Sequence, residues 1–494
     1  MNLSLVRPAG PLLTGVKRLF WLSIWLLWLP LGVYLAVLNQ GHSLGVLQGT
    51  LLAISLIGLV VINAETATVI YSCFRPNPWL DRGLLQRLGR TLRPWRTMDR
   101  AVLTPKFSPQ VALPFVSVIV AAYLPNEQYI IEDTLRHWLF EVTPPPQGWE
   151  IILAYNTPKA LPVERRLRDL ARRYPALVLL PVPHSCSKAE NLNAALQVAR
   201  GDMTGIFDAD HHPAPDCLSR AWAWLYQGRY DMVQGRNIIR NAKDSWLTQL
   251  IAVEFECIYG VSHYGRSLLA DTALFGGSNG YWRTSVLRQL GFHPTRLTED
   301  IDLTVRGLLE GCRLVHDPAI VTTELAPDHL RGLWLQRQRW SQGWLEVASL
   351  YLGRVLRSPH LDAVQKPCWV LMLIFSQFFY PLVWQVVPML ISIHVSRSDR
   401  DLNFETLNLA LMGLLTLSAL LQVAVAMMLR PEGSVYTRRH GVLYCLLSPI
   451  YFWLKALIGM VAVVNHLSGS RVWHVTARTK SKPNRWRVAL RSVK

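Results

Sequence analysis

Two aspartates, Asp208 and Asp210, are the first pair in this 494-residue chain whose spacing indicates chemistry. They end a short apolar run, and in an extended segment residues i and i+2 point the same way, so two negative charges lie close together. A Mg²⁺ or Mn²⁺ ion would relieve that repulsion, and such ions are commonly held by one or two carboxylates plus substrate phosphates. The pair predicts either a metal site for a phosphate-bearing substrate or an ordinary solvated turn. His211 and His212 fit both alternatives, and we favour the turn for His212.

A second acidic group begins at Thr298, which has the residue type of a helix N-cap, with Glu299 and Asp300 in the first turn. Taken alone this is an ordinary helix start. It is preceded by a loop that contains Gly277 and Ser278, and a glycine there allows close backbone approach to a ligand or simply forms a turn.

A third cluster places Gln336, Arg339 and Trp340 on one helical face by their i, i+3, i+4 spacing. That face offers an amide, a guanidinium suited to bidentate phosphate binding, and a flat aromatic ring. The same face would also suit a helix lying on a membrane surface.

Short β-branched runs alternate with helical stretches between residues 115 and 210. Such alternation predicts an α/β domain with a parallel sheet covered on both faces by helices. Ligands of these sheets bind beyond the carboxyl ends of the strands. Because the fourth run ends in Asp208 and Asp210, we expect the chemistry at that edge.

The composition indicates a membrane protein. Only 17% of the residues are charged and 51% are apolar, against about 25% charged in an average soluble protein. Apolar runs cover residues 19–38, 44–71, 367–395, 407–429 and 441–467, and about twenty such residues suffice to cross a bilayer. The basic flanks of the first two runs predict that both their ends are cytoplasmic. We assign the net charge of +18 to cytoplasmic loops beside anionic lipid and expect no nucleic acid partner.

The number of C-terminal apolar runs conflicts with the charge of the tail that follows them. Three crossings would carry the basic tail outside, whereas its charge predicts a cytoplasmic position. Either the last run is a hairpin broken near Pro449 and Lys455, or one run lies in the interface. A lysine near such a break more commonly reaches back to the interface than acts within the membrane. The resulting layout is a transmembrane hairpin (1–72), a basic cytoplasmic linker (73–110), a catalytic domain (111–345), an interfacial helix (346–366), transmembrane helices (367–470) and a basic cytoplasmic tail (471–494).

In this order and between membrane segments, D-A-D-H, T-E-D and Q-x-x-R-W resemble the inverting family 2 glycosyltransferases of the cellulose, chitin and hyaluronan synthase type. The resemblance covers residues 115–343 well. It implies a cytoplasmic α/β domain of the GT-A (Rossmann-like) type, inserted between N- and C-terminal transmembrane helices. It also implies Mg²⁺ or Mn²⁺ at Asp210 and Asp208, Asp300 as general base beside Glu299, and Gln336 and Arg339 at the donor.

The same resemblance assigns further residues. Lys188, in K-A-E-N-L-N, is similar to the cellulose synthase lysine that meets the donor diphosphate, and Trp340 to the residue that stacks under the acceptor sugar. Gly277 and Ser278 are similar to a loop near the acceptor. Thr476 and Arg478, in W-H-V-T-A-R, look like a gating loop that closes over the nucleotide.

Two departures limit what the resemblance implies about the nucleotide. The turn after the first strand has two extra residues. Asn156 stands where the family has an Asp-Asp pair that reads uracil, so guanosine or another nucleotide remains open beside uridine. The resemblance favours UDP-hexose, such as UDP-glucose, built into a β-linked polysaccharide that passes through the membrane.

Two alternatives stay open. One is transfer of a single sugar to a membrane lipid, and the other is a transporter or scaffold with a decayed transferase domain, against which the intact acidic residues argue. We expect no cyclic-di-GMP-binding domain after the last helix, so regulation of that kind would require an accessory subunit. Seven scattered cysteines without a C-x-x-C pair argue against a zinc site and a disulfide framework.

Overall fold

The computed structural model describes residues 20–74, 112–226, 228–396, 402–432 and 434–469. Its centre is one eight-stranded sheet. The strands are β1 (Val116–Tyr123), β2 (Trp149–Asn156), β3 (Leu177–Pro181), β4 (Met203–Asp208), β5 (His212–Pro213), β6 (Met232–Ile239), β7 (Gly280–Arg283) and β8 (Leu314–Glu324). Their spatial order is β3-β2-β1-β4-β7-β6-β8-β5.

The first four strands are parallel, as the sequence predicts, and the sheet is mixed beyond them. β7 runs antiparallel to β4 and to β6, while β8 is parallel to β6 and antiparallel to β5. The register aligns Tyr123 with Asn156 and Ala121 with Asp208. The carboxyl ends of β1, β2 and β4 therefore meet at one edge of the sheet.

Apolar side chains are buried on both faces of the sheet. Successive residues of a strand point to opposite sides, so one strand contributes to both apolar layers. On β1, Val118 and Val120 join a cluster with Trp138, whereas Ile119 belongs to a second cluster with Trp282. These side chains are fully buried. The two apolar layers fix the sheet between its helices.

The helices follow in chain order. They are α1 (Leu29–Asn39), α2 (Gly45–Ser72), α3 (Leu124–Glu127), α4 (Ile131–Glu141), α5 (Pro162–Arg173), α6 (Lys188–Val198), α7 (Cys217–Leu225), α8 (Trp246–Phe255), α9 (His263–Ala270), α10 (Thr284–Leu290), α11 (Glu299–Leu309), α12 (Leu330–Arg357), α13 (Gln365–Val370), α14 (Ser376–Val383), α15 (Val386–Ser396), α16 (Leu402–Met428) and α17 (Arg438–Leu467). π-helical turns precede α1 and join α8 to α9 and α13 to α14.

Five stretches of the described chain are long and apolar enough to cross a membrane. They are Phe20–Asn39, Gly45–Ser72, Gln377–Ser396, Glu405–Met428 and Arg438–Leu467. Two precede the sheet and three follow it, so apolar helices flank the catalytic domain on both sides.

The last of these stretches differs from the sequence expectation. α17 is one continuous helix that contains Pro449, so the predicted hairpin with a break at that proline is wrong. The ammonium group of Lys455 forms an ion pair with Glu254 of the catalytic domain. The predicted boundary between residues 345 and 346 falls inside α12.

Candidate active site

A pocket of about 510 Å³ opens at the carboxyl ends of β1, β2 and β4. It brings together most of the residues that the sequence predicts, although they come from widely separated segments. The predicted residues in its wall are Asn156, Lys188, Asp208, Gly277, Ser278, Glu299, Asp300, Gln336, Arg339 and Trp340. The pocket falls within the range of volumes typical of small-ligand sites.

Lys188 lies at the centre of this pocket, at the start of α6. Its ammonium group is 2.5 Å from Asp208 Oδ1 and 3.6 Å from Glu299 Oε1, and it donates to the carbonyl of Gly277 at 2.7 Å. Burial alone would lower the pKa of Lys188, but the surrounding carboxylates raise it above its usual value. The lysine is therefore a fixed positive charge, and it ties the end of β4 to the start of α11.

Asp300 occupies the first turn of α11 and faces the glycine loop. Gly277 has φ +80°, and a Cβ atom there would lie 2.7 Å from Asp300 Oδ2. Only glycine combines this backbone conformation with so close an approach. Burial and the Glu299 carboxylate raise the pKa of Asp300 to about 7, against the opposing charges of Lys188 and Arg339. A carboxyl group with such a pKa can accept a proton near neutral pH.

Asp208, Asp210 and His211 form a cluster in which one ligand atom of each lies within 4.8 Å of the others. Asp208 borders the pocket, whereas Asp210 and His211 are buried behind it. Carboxylate oxygens are the donors that Mg²⁺ and Mn²⁺ prefer, so the two aspartates fit either ion. His212 lies outside the cluster and stacks on His137 with ring centroids 4.5 Å apart.

His211 holds this cluster in place. Its Nδ1 lies 3.2 Å from Asp210 Oδ1 and its Nε2 lies 2.8 Å from Glu324 Oε2, while the amide of Leu325 donates to Asp210 Oδ2 at 3.1 Å. Burial would lower the pKa of His211, but its bonds to Asp210 and Glu324 raise it to about 9. The imidazolium thus balances carboxylates that would otherwise repel each other.

α12 supplies the Q-x-x-R-W residues. It packs on α11 where Gly343 meets Thr298, so closely that a Cβ atom at residue 343 would overlap the threonine side chain. Thr298 stands at the N-cap position as predicted, but its hydroxyl makes no capping bond. Arg339 donates to the carbonyl of Leu297 at 3.0 Å. Gln336 lines the pocket, and its Oε1 atom is buried without a hydrogen-bond partner in the described structure.

Trp340 is half-buried at the pocket edge, with the guanidinium of Arg337 4.3 Å from its ring centroid. Asn156 and Ser278 are already engaged: the Asn156 amide bonds Asn191 and the carbonyl of Ser185, and the Ser278 hydroxyl accepts from the amide of Asp208. These bonds hold the ends of β2 and β4 in place. The roles of these three residues toward a base or an acceptor stay predictions.

The predicted gating-loop residues Thr476 and Arg478 lie outside the described residues. Several further residues line the pocket although the sequence gives them no role, among them Asn237, Phe255, Tyr259 and Glu324. Asn237 lies near the end of β6 and Glu324 ends β8, so the strand-end rule finds both once these strands are recognised. Phe255 and Tyr259 are one helical turn apart on an apolar segment, where no motif distinguishes them.

Comparison with known proteins identifies the family. A model described as "Glycosyl transferase family group 2" matches residues 205–457, just over half of the chain, and one described as "Glycosyl transferase family 2" matches residues 117–291. The chain belongs to glycosyl transferase family group 2. Its catalytic domain is therefore that of a nucleotide-sugar glycosyltransferase of family 2.

Two relatives of this glycosyltransferase carry different activities in their names. It is 28% identical over 282 residues to the β-monoglucosyldiacylglycerol synthase of Trichormus variabilis, a match covering 55% of this chain and 57% of that protein. It is 30% identical over 185 residues to glucomannan 4-β-mannosyltransferase 7 of Arabidopsis thaliana, covering 37% and 32%. The chain thus matches less than two thirds of the length of each.

A solved structure shows the same fold. The mannosyltransferase PcManGT from Pyrobaculum calidifontis, in complex with GDP-Man and Mn²⁺, has a TM-score of 0.51 and 21% identity, covering 85% of this chain and all of that one. The predicted GT-A fold is therefore confirmed, with apolar helices flanking the catalytic domain.

Proposed function

We propose that this glycosyltransferase transfers a hexose with inversion from a nucleotide-sugar to a hydroxyl group at a membrane. The observation that supports this most strongly is the pocket itself, in which Lys188, Asp208, Asp300 and Arg339 come together from four separate segments. Two cations, a metal-binding carboxylate and a carboxyl group with a pKa of about 7 are the groups that this reaction needs.

The positive side chains bind the leaving group. Lys188 and Arg339 bind the donor diphosphate, and Gln336, in the wall of the same pocket, contacts the donor. As the bond from the anomeric carbon to the diphosphate breaks, negative charge grows on the leaving oxygen, and preorganised cations stabilise it. We propose UDP-hexose, such as UDP-glucose, as the first donor to test, with a guanosine-linked sugar as the alternative.

Asp300 acts as the general base. It accepts the proton of the acceptor hydroxyl while that oxygen attacks the anomeric carbon from the face opposite the diphosphate. A single displacement turns an α-linked donor into a β-linked product. Glu299 keeps the pKa of Asp300 high enough for this proton transfer.

Asp208 and Asp210 are the proposed ligands of Mg²⁺ or Mn²⁺, and the imidazolium of His211 positions Asp210. When bound, the ion adds positive charge at the diphosphate and helps it to leave. Without it, Lys188 remains the cation in contact with Asp208. We expect removal of divalent ions to lower turnover.

Two acceptors share this chemistry. A growing β-glycan is the acceptor expected of a synthase of the cellulose, chitin and hyaluronan type, and the glucomannan mannosyltransferase among the relatives supports it. A lipid hydroxyl is the alternative, and the glucosyldiacylglycerol synthase supports that one. Trp340 would stack against the acceptor in either case.

We also propose a multi-pass membrane topology with the catalytic domain in the cytoplasm. Four stretches cross the bilayer, and α17 lies along the interface. Its N-terminal end packs through Gly441 on Met427, close to where Arg236 of the sheet donates to the carbonyl of Leu429, and His466 near its C-terminal end lies 3.3 Å from Ser349. A helix that crosses the bilayer would contact the catalytic side at only one of its ends. Four crossings return the basic tail to the cytoplasm.

Donor binding tests the proposed function. We expect the purified protein to bind radiolabelled UDP-glucose or GDP-mannose, and Lys188→Met and Arg339→Met to weaken binding about tenfold or more, the scale of a lost charged hydrogen bond. Arg357→Met, an exposed change at the far end of α12, is the matched control and should bind normally. Failure of the wild-type protein to bind any nucleotide-sugar would contradict the proposal.

A further inference from the structure

A second cavity of about 700 Å³ lies on the membrane side of the catalytic domain. It is enclosed by α2, by the α8–α9 segment, by the stretch from α13 to α15, and by α16 and α17. The membrane helices contribute the halves that adjoin the catalytic domain, such as residues 58–65 of α2 and 412–423 of α16. The cavity is therefore at the depth of the leaflet next to the active site.

We propose that this cavity binds the hydrocarbon chains of a lipid acceptor whose hydroxyl group receives the sugar. This inference rests on the proposed function and names its acceptor class. It makes the enzyme a glycolipid synthase and argues against a polysaccharide in this cavity.

The lining of the cavity supports a hydrocarbon occupant. Most of it is aliphatic or aromatic, and its four charged side chains are paired with one another, Arg266 with Glu65 at 2.6 Å and Lys455 with Glu254. In a low-dielectric environment, each charge of such a pair is largely balanced by its partner, so the pair interacts only weakly with a third group. An apolar chain can therefore occupy the cavity without breaking an ion pair.

Three uncharged polar side chains of the lining are likewise engaged within the protein. The amide of Gln422 donates to a serine hydroxyl, and the hydroxyl groups of a threonine and another serine donate to carbonyls of their own helices; the pairs are Gln422 with Ser262, Thr416 with Met412 and Ser448 with Cys445. A glycan would bring several hydroxyl groups per sugar into this space, and each buried polar group needs a partner. The lining suits a lipid better than a sugar chain.

A single helical segment, residues 254–259, forms part of the wall between this cavity and the donor pocket. Glu254 and Cys257 line the cavity, whereas Phe255 and Tyr259 on the same segment line the pocket. Arg337 crosses between them, donating to Glu254 Oε2 at 2.7 Å and lying over the ring of Trp340. A lipid with its chains in the cavity thus has its headgroup near Trp340 and the base Asp300.

Filling the cavity tests this inference. Ala419→Phe on α16 places a phenyl group among the lining residues, whereas Leu417→Phe on the same helix changes a side chain that is 62% exposed and points away. Both proteins are placed in phosphatidylcholine nanodiscs with dioleoylglycerol as the probe acceptor, and are given the radiolabelled nucleotide-sugar that the wild-type protein binds. Donor binding is measured separately, without acceptor.

We expect wild-type label in an organic-soluble product, at least tenfold less with Ala419→Phe, and less than a twofold change with Leu417→Phe. Donor binding should be equal in all three proteins. Label in an insoluble polymer, or lipid product that Ala419→Phe leaves unchanged, would overturn the lipid inference while the proposed function stands. Absence of donor binding in the wild-type protein would instead overturn the proposed function and the inference with it.

Discussion

Asp300 carries most of the proposed chemistry, and its neighbours set its proton affinity. Burial and Glu299 raise its pKa, while Lys188 and Arg339 oppose that rise. The same carboxyl group lies against Gly277, where its Oδ2 atom faces the loop that borders the pocket. A general base needs both this position and this pKa.

Replacing Asp300 should separate catalysis from binding. Asp300→Asn keeps the shape but cannot accept the acceptor proton, so we expect kcat to fall by about 10²–10⁴-fold with donor binding nearly unchanged. Asp302→Asn, which removes a carboxylate from the same helix outside the pocket, is the matched control. Asp302 is fully buried and bonded to Arg296, Arg306 and Tyr351, so this change should lower the melting temperature. Near-normal transfer by Asp300→Asn would exclude the base role.

The pH dependence should report the same group. The base must be ionised, and a pKa raised to about 7 means that activity is lost on acidification at a higher pH than for an ordinary aspartate. We expect kcat/KM to rise about tenfold per pH unit below pH 7 and to level off above it. Glu299→Gln removes the neighbouring negative charge, so its profile should shift to lower pH. An unshifted profile would contradict this assignment.

At the scale of elements, the contact between α11 and α12 positions the site. Gly343 lets α12 approach Thr298 closely enough for Gln336 and Arg339 to reach the pocket that contains Asp300. An ion pair of 3.2 Å joins Arg296, in the loop before α11, to Glu346 of α12. A change in this contact should therefore move the donor-binding residues relative to the base.

Two glycines of α12 provide a matched pair of substitutions. Gly343→Ala adds a Cβ atom that overlaps Thr298, and overpacking of this kind costs about 1–3 kcal/mol of stability. Gly353→Ala meets open space, and alanine in a helix gains about 1 kcal/mol over glycine. We expect thermal unfolding at a lower temperature and weaker donor binding for the first only. Equal behaviour of the two variants would contradict the proposed role of this contact.

Local patterns predict the elements of the site better than its long-range pairs. The alternation of strands and helices locates β1 to β4, and the end of the fourth strand locates Asp208. Lys188 follows instead from the resemblance of its K-A-E-N-L-N motif to the cellulose synthases. The pairing of Glu254 with Lys455 joins residues 201 positions apart, and no periodicity in the sequence encodes it. Thr298 has the residue type of an N-cap, but close packing against Gly343 determines its actual contact. Such pairs depend on tertiary packing, which a local pattern does not contain.

At the scale of the whole molecule, the position of α17 determines the topology. Length and composition alone would make it a fifth crossing. The packing of Gly441 on Met427 at the end of α16 and the contact of His466 with Ser349 of α12 support the proposed interfacial position. The conflict between three C-terminal crossings and a basic cytoplasmic tail then disappears. In the proposed topology, the cavity lies beside the cytoplasmic leaflet.

Labelling from one side of the membrane tests this topology. We expect Ser468→Cys to react with a membrane-impermeant maleimide from the same side as the exposed Cys186 of the catalytic domain. Asn39→Cys, at the C-terminal end of the first apolar helix, should react only from the opposite side. Labelling of Ser468→Cys from the side of Asn39→Cys would show that α17 crosses the bilayer.

The stereochemistry of transfer tests the central claim most directly. Purified protein in nanodiscs is given an α-linked nucleotide-sugar with Mg²⁺ or Mn²⁺, and the anomeric configuration of the product is read by NMR, with Asp300→Asn as the control. The single displacement predicts a β-linked product from the wild-type protein and almost none from the variant. An α-linked product, or equal yield from both proteins, would contradict the account.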